Sequence, residues 1–429
     1  MRVNVYLDAT PVGALSDIGG QTYFQYDDAF LRSGLELSPL HLPLGPGVRL
    51  CARPYLLHLP GLCYDSLPDY WGQRVMERWF RQERRQTAVT PLEQLCFVGD
   101  RGVGALRYEP ALLADDPLRP VVVEALDLRR VELASRSLLS GPPDKVIPGL
   151  LNLARNGSAG GARPKLWIGL HDEGSKPELA AGGGRLPEGF TPWLLKLDLG
   201  SRVGAGWREW GRLEHAYALM AAAAGVRTCR TRLITTTGRS AQVRAHFAIA
   251  RFDRGPAGRR IHFHSFAGLT ESDYNDVIDY RELFSTTMQV CRDYRETLEV
   301  LRRAAFNVAA RVCDDHAKNH GFLFDPAVGW RLAPAYDLVY TDPARFPLHA
   351  MPLAGNALNP GVGELMRLAD EAEIPAGDAR GLIEQTRAAI ARWPEFAKQA
   401  GVPAAQAREM EADLPGEAWP AAGVVGRGR

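Results

Sequence analysis

Asp314-Asp315-His316-Ala317-Lys318-Asn319 is the stretch on which the reading of this chain turns. An apolar run, Ala304 to Val312, precedes it with helical character, and Phe322-Leu323-Phe324 follows with the character of a strand. A plain connector between helix and strand has no need of two carboxylates, an imidazole, an ammonium and an amide in six positions. Asp314 and Asn319 stand five positions apart, the spacing at which a catalytic loop offers a base and a metal ligand to one phosphate. As an isolated hexapeptide it reads as a polar turn capped by Asp and Asn. The partners found elsewhere in the chain move the reading toward chemistry.

The whole chain sets the frame. Its 429 residues are enough for two or three domains with sizeable cores. Hydrophobic residues at 46% and charged residues at 24% place it among ordinary globular proteins. A formal net charge of +1 gives no global field for nucleic acid or an anionic membrane, so any DNA contact has to come from a local patch or a partner. Six cysteines without a CxxC pair argue against structural zinc and for free thiols in a reducing compartment. The first residues read as a strand, not a signal peptide, and no apolar run is long enough to span a bilayer. A cytoplasmic protein is expected.

Residues 1 to about 50 alternate as β-structure, and Leu59–Gly72 reads as a structured loop whose Asp69 caps a helix from about Gln73 to Arg85. Thr90-Pro91-Leu92-Glu93 carries a capping-box signature for another helix. Gly99–Gly104 is expected as a hairpin turn, and 109–125 as a surface connector. Leu166–Leu170 and Trp193–Leu197 are expected strands, with 171–190 an exposed loop between them. Leu213 to Ala224 reads as a helix stopped by Gly225, and Thr231–Thr236 with Ala245–Phe252 as a strand pair. His262 and His264 alternate as metal ligands can, but no Cys or carboxylate cluster completes a site, so they are expected on a strand surface. Beyond Asp253 the pattern is mostly helical, ending in a Gly/Ala/Pro tail from about Gly416. The order is β-rich, then mixed, then helical.

Phosphoryl transfer needs mainly positioning and charge, and the chain has a candidate for each part. Gly160-Gly161-Ala162 lets backbone approach phosphates closely, and Lys165 follows it. Lys196 is an ammonium among apolar neighbours, with Glu214 on the next helix as the partner that would aim it at phosphate oxygens. Asp314 is the candidate base, Asn319 a candidate Mg2+ ligand, and Asp337 a second carboxylate reached across a strand–turn–strand. His316 orients the loop; Lys318 contacts phosphate or is simply solvated. Asp315 puts a second carboxylate beside the base, an arrangement that raises a pKa by like-charge repulsion. The chain holds no GxSxG, HExxH or GxxxxGK[ST] motif.

Five motifs in order resemble the HipA family, the toxin kinases of type II toxin–antitoxin pairs. They are Asp65–Asp69 with Trp71-Gly72, Ser158 to Lys165, Arg251-Phe252-Asp253-Arg254, Asp314 to Asn319, and Leu332 to Asp337. The resemblance implies an α+β, protein-kinase-like two-lobed fold with an extra β-rich N-terminal domain and a mostly helical C-terminal lobe. The expected divisions are 1–125, 126–252 and 253–429. It implies an ATP- and Mg2+-dependent serine/threonine protein kinase, with Asp314 as base, Lys196 on phosphate, and Asn319 and Asp337 as metal ligands. Gly160, Gly161, Ala162, Arg163, Lys165, His316 and Lys318 belong to the nucleotide site, and Ala250, Arg251 and Phe252 hold adenine through backbone groups. Ala250 stands where the family can have Glu, which backbone contacts tolerate. Ser158 would be the autophosphorylation site that switches the enzyme off. The implied partners are a protein substrate and a small helix-turn-helix antitoxin, with DNA reached only through the antitoxin; family targets include aminoacyl-tRNA synthetases. A small-molecule kinase, or a non-catalytic nucleotide-binding regulator of a repressor, are the alternatives.

Overall fold

The structure is a computed structural model and describes residues 1–113, 127–141, 147, 150, 163–171, 178–182, 186–203, 206–237, 243–273 and 276–414. The chain forms two compact units: Met1–Leu199 with Ile234–His264 and Gly268–Asp273, and Gly200–Leu233 with Ser265–Ala267 and Tyr274–Arg429.

The first unit holds an antiparallel sheet in the order Val48–Leu50, Gln21–Tyr26, Thr10–Ile18, Arg2–Leu7, Leu106–Glu109. Alternation explains it: Val3, Val5, Leu15 and Phe24 are fully buried while the residues between them are not. Helix Tyr70–Trp79 begins where the Asp69 carboxylate accepts from Gly72 N, and it continues as a π-turn over Phe80–Arg84. Helix Pro91–Val98 has the expected capping box between Thr90 and Glu93.

Gly99–Gly104 is not a hairpin turn. It connects the end of helix Pro91–Val98 to strand Leu106–Glu109, whose partner is the first strand of the chain, Arg2–Leu7. A short glycine-rich stretch before a strand looks the same in sequence whether a helix or a strand precedes it.

The second sheet of this unit runs Glu178–Ala181, Lys165–His171, Thr191–Lys196, Val243–Ala250, with Thr231–Thr237 at the far edge. Strand Glu178–Ala181 corrects the expectation of a loop throughout 171–190. Its sequence, Glu-Leu-Ala-Ala, lacks β-branched residues and is strand only through pairing with Ile168–His171. Trp71, Val75, Trp79 and Phe80 bury against Leu166, Ile168, Leu170, Trp193 and Leu195 in one core that also takes in helix Leu128–Ser140. Each such large apolar side chain contributes on the order of 1.5–3 kcal/mol by leaving water.

His262 and His264 are not on a surface. Both are buried; His262 Nε2 lies 2.9 Å from Leu37 O, and His264 bridges Asp65 Oδ2 at 2.5 Å and Ser38 Oγ at 3.1 Å. Burial and the neighbouring His264 push the His262 pKa down to about 3, so it is neutral at pH 7.

The second unit is mostly helical. Helices Trp210–Ala223, Tyr294–Ala309 and Trp393–Ala400 meet at Tyr217, Phe306 and Trp393, with ring centroids 6.5 and 5.4 Å apart in edge-on pairs. The buried Tyr217 hydroxyl donates to Ala310 O at 2.9 Å, at the point where Tyr294–Ala309 ends. A hairpin of Gly321–Asp325 with Gly329–Leu332 follows. All six cysteines are free thiols. Among the described residues no helix is long and apolar enough to cross a membrane.

Candidate functional site

Helix Tyr294–Ala309 delivers the polar loop. It starts on the Asp293 cap and packs an almost wholly buried face, including Phe306 and Asn307, against its neighbours. After Arg311, which takes a positive φ of 55°, the chain is neither helix nor strand up to His316. There Cys313 N donates to Thr341 Oγ1 at 3.0 Å and Ala350 N donates to Cys313 O at 2.9 Å. The Asp314 side chain is 61% exposed, open to an incoming group. Asn319 Nδ2 donates to Asp314 O at 2.7 Å, and the turn Ala317–Asn319 closes with Asn319 N donating to His316 O at 2.8 Å. Acid and amide are thus fixed to one another through the backbone.

The hairpin brings Asp337 back to the same place. Ala333 N donates to Gly321 O at 2.8 Å, Ala335 N to Arg227 O at 2.7 Å, and the Tyr336 hydroxyl to Lys318 O at 2.8 Å. Asp337 itself sits at φ 57°, the left-handed region, which costs a non-glycine residue on the order of 1 kcal/mol and is kept only where surroundings enforce it. Asp314, Asn319 and Asp337 line one pocket, with Arg303 and Asn307 behind them.

An ionic frame, buried at Glu296, Glu299 and Arg303 and half-buried at Arg227, supports the pocket. Glu296 takes both Arg227 guanidinium nitrogens at 3.0 and 3.1 Å and accepts from Leu332 N at 3.0 Å. Glu299 accepts from Arg303 Nε at 2.9 Å, and Arg303 reaches Ala333 O at 2.5 Å. Sequence reasoning missed these four residues. The Glu299–Arg303 spacing of one helical turn, on a helix whose face is otherwise apolar, was the available signal.

In the first unit, Lys165 and Lys196 stand opposite each other in antiparallel register on neighbouring strands. Both are buried, 2% and 8% exposed, where like charges side by side are unfavourable. The Asp69 carboxylate lies 3.5 Å from Lys165 Nζ, and Trp71 Nε1 donates to Lys165 O at 3.0 Å. Lys196 Nζ stands 5.7 Å from the Phe247 ring centroid. Glu214 is buried in the second unit, on helix Trp210–Ala223. Ser158, Gly160, Gly161 and Ala162 lie outside the described residues; Arg163 is half-buried.

Ala250 pairs with Trp193, and Arg251 N donates to Pro192 O at 3.0 Å. The Arg251 guanidinium lies 3.7 Å from the Trp167 ring centroid and binds Asp253 at 2.7 and 2.9 Å. Asp253 accepts from Gly104 N at 2.6 Å, and Arg254 donates to Gly104 O at 2.9 Å. Burial alone raises the pKa of Asp253; the Arg251 and Arg254 charges overcome it and hold it well below the usual carboxylate range. Phe252 stacks at a tilt on Phe263, centroids 5.6 Å apart.

Asp315 is buried where Asp314 is exposed: its carboxylate accepts from the Tyr280 hydroxyl and lies 2.9 Å from His349 Nδ1.

Among the described residues no group of three or more His, Cys, Asp or Glu is placed to hold a metal ion by itself. The pocket's oxygen donors include the Asn319 amide, the Asp337 carboxylate and the buried Asn307 Oδ1, which has no hydrogen-bond partner, and the buried His320 imidazole lines the same pocket. Those oxygens fit Mg2+, a hard cation that takes much of its shell from water and phosphate.

Fold and site together define an α+β protein whose helical unit presents an acid–amide–acid pocket. Family models match residues 3–109 as a HipA N-terminal domain and 157–393 as a HipA-like C-terminal domain. The chain belongs to the HipA family. Among solved structures it is similar to HipA of Shewanella oneidensis MR-1, in a complex with HipB and operator DNA, at 16% identity and TM-score 0.67 over 96% of this chain and 95% of that one. The α+β architecture is the fold of that HipA. The Helicobacter pylori proinflammatory kinase CtkA also aligns, at 11% identity and TM-score 0.33 over 53% of this chain and 86% of that one. A comparison with curated protein sequences finds no match.

Proposed function

We propose that the chain is an ATP- and Mg2+-dependent serine/threonine protein kinase of the HipA type. The observation that carries this reading is the convergence of Asp314, Asn319 and Asp337 on one pocket backed by the orphaned Asn307 oxygen. Asp314, exposed at the loop, accepts the proton of an incoming hydroxyl as its oxygen bonds to the γ-phosphorus and the bond from that phosphorus to the bridging β–γ oxygen breaks, releasing ADP. Asn319 and Asp337 would hold Mg2+, which when bound would supply positive charge against the phosphate oxygens. Lys196 meets phosphate oxygens, aimed by Glu214. His316 and Lys318 border the nucleotide, and Gly160 to Arg163 cover its phosphates. Ala250 to Phe252 flank the adenine through the backbone groups that strand pairing leaves available. Ser158 is the self-phosphorylation site.

The division 1–125, 126–252 and 253–429 belongs to the same proposal, as does a cytoplasmic location. The similar HipA is in a complex with HipB and operator DNA, which supports a small DNA-binding antitoxin as partner here, with DNA reached through it. The substrate is a protein, with aminoacyl-tRNA synthetases the first class to try. The test is incorporation of labelled γ-phosphate with Mg2+, followed by intact mass. One added phosphate on wild type, absent in Asp314→Ala and Asp337→Ala, supports the reading. Labelling in both variants at the wild-type level overturns the site. Nucleotide binding without turnover favours the regulator reading.

A further inference from the structure

From Asn307, which lines the pocket, a buried polar chain runs behind the loop through residues that take no part in the proposed chemistry. Asn307 Nδ2 donates to the Tyr280 hydroxyl at 2.9 Å, and that hydroxyl donates to Asp315 Oδ2 at 2.9 Å. The same oxygen lies 2.9 Å from His349 Nδ1, and His349 Nε2 lies 3.8 Å from Cys313 Sγ. The other carboxylate oxygen accepts from Ala350 N at 3.0 Å and Met351 N at 3.4 Å. Asp315 is 1% exposed and His349 4%. Two such groups are expensive to bury, and a connector has no use for them.

Their placement gives them a use. Asp315 is flanked by Asp314, whose side chain faces solvent, so the peptide between them fixes where the Asp314 Cα–Cβ bond starts and points. Asn307, at the other end of the chain, lines the same pocket. The segment His349–Met351 is thereby pinned to residues 313–315 from both sides, through Cys313 O and through the Asp315 carboxylate.

We infer that Asp315 and His349 are positioning residues: their buried pair locks loop 314–319 so that Asp314 and Asn319 are presented together toward Asp337. The inference rests on the kinase reading for its catalytic consequence, but the locking of the loop does not. Charged and titratable groups around His349 are Asp315 and Cys313, with Tyr280 one step further through the carboxylate.

The experiment compares His349→Leu, His349→Gln and Tyr280→Phe with wild type. It measures hydrogen exchange across 313–320 and 349–351, and kcat and KM for ATP. Expected for His349→Leu is at least about tenfold faster exchange in those segments, unchanged exchange in helix Ala376–Ile390, and kcat lower by about 30-fold with KM within twofold. His349→Gln, which keeps an N–H for Asp315, restores kcat to within about fivefold. Tyr280→Phe, which deletes one hydroxyl and is the fallback where His349→Leu does not fold, raises exchange in the same segments. Unchanged exchange overturns the inference whether or not the protein is a kinase. So does His349→Leu with normal kcat, or a KM that rises in step as kcat falls. Wild-type protein that transfers no phosphate fails the kinase reading alone, and exchange then decides the locking.

Discussion

Asp315 Oδ2 and His349 Nδ1 lie 2.9 Å apart, both buried, directly behind the loop that presents Asp314. Burial opposes a charge on His349, but its hydrogen bonds to Asp315 and Cys313, with the Asp315 charge, outweigh burial and lift its pKa to about 9. A raised folded-state pKa means that this pair's stabilisation is fully present below the ordinary histidine value and is lost as pH rises through about 9. A shift of this size corresponds to a few kcal/mol at most. The melting temperature is therefore expected to fall between pH 7 and pH 10, and the fall to be smaller in His349→Gln. Equal slopes in the two proteins would contradict the assignment.

Asp69 holds two things at once: the N-terminus of helix Tyr70–Trp79 and the buried ammonium of Lys165. Asp69→Asn keeps the cap and weakens only the ionic part; Asp69→Ala loses both. The expected costs are about 1–2 and about 3–4 kcal/mol in denaturant titrations monitored by tryptophan fluorescence. An alanine variant no worse than the asparagine would show that the cap contributes nothing.

Asp253 sits between Arg251, Arg254 and the amide of Gly104. Asp253→Asn leaves two buried guanidinium groups short of a counter-charge, and about 3–5 kcal/mol should be lost. Because the Asp253 pKa is held down, its contribution is complete above the usual carboxylate range and disappears as pH falls below it. Wild type should therefore weaken below pH 4 more steeply than the variant. Gly104→Ala attacks the same joint from the other side: at φ 78° its new Cβ would stand 2.9 Å from Phe263 N. Melting temperature reports both substitutions.

Thr90→Ala removes the hydroxyl that accepts from Glu93 N, and should cost about 1 kcal/mol. Glu93→Gln should cost less, since an amide still reaches Thr90 N. The order of the two, read from urea midpoints, is the check.

Local signals carried over from sequence to structure where their physics is local. The Thr90–Glu93 box, the Asp69 cap and the strand at Leu166–Leu170 depend on neighbours within a turn or a pleat. The readings that failed depend on distant partners. His264 is buried because Asp65 and Ser38, about two hundred residues earlier, supply its hydrogen bonds. Asp315 finds His349 across 34 positions, a partner that no local signal shows. Glu178–Ala181 becomes a strand because a sheet edge is there to receive it. At the site, the pocket order Asp314, Asn319, Asp337 was legible from spacing, whereas the frame of Arg227, Glu296, Glu299 and Arg303 was not, since ion pairs in a helix read first as a solvated face.

The most direct test of the central claim is the rate of Mg2+-dependent γ-phosphate transfer by wild type and Asp314→Asn, each checked for an unchanged melting temperature. Loss of the base should lower the rate by at least about 10²-fold while ATP still binds. An Asp314→Asn protein that transfers phosphate within threefold of wild type would contradict the account.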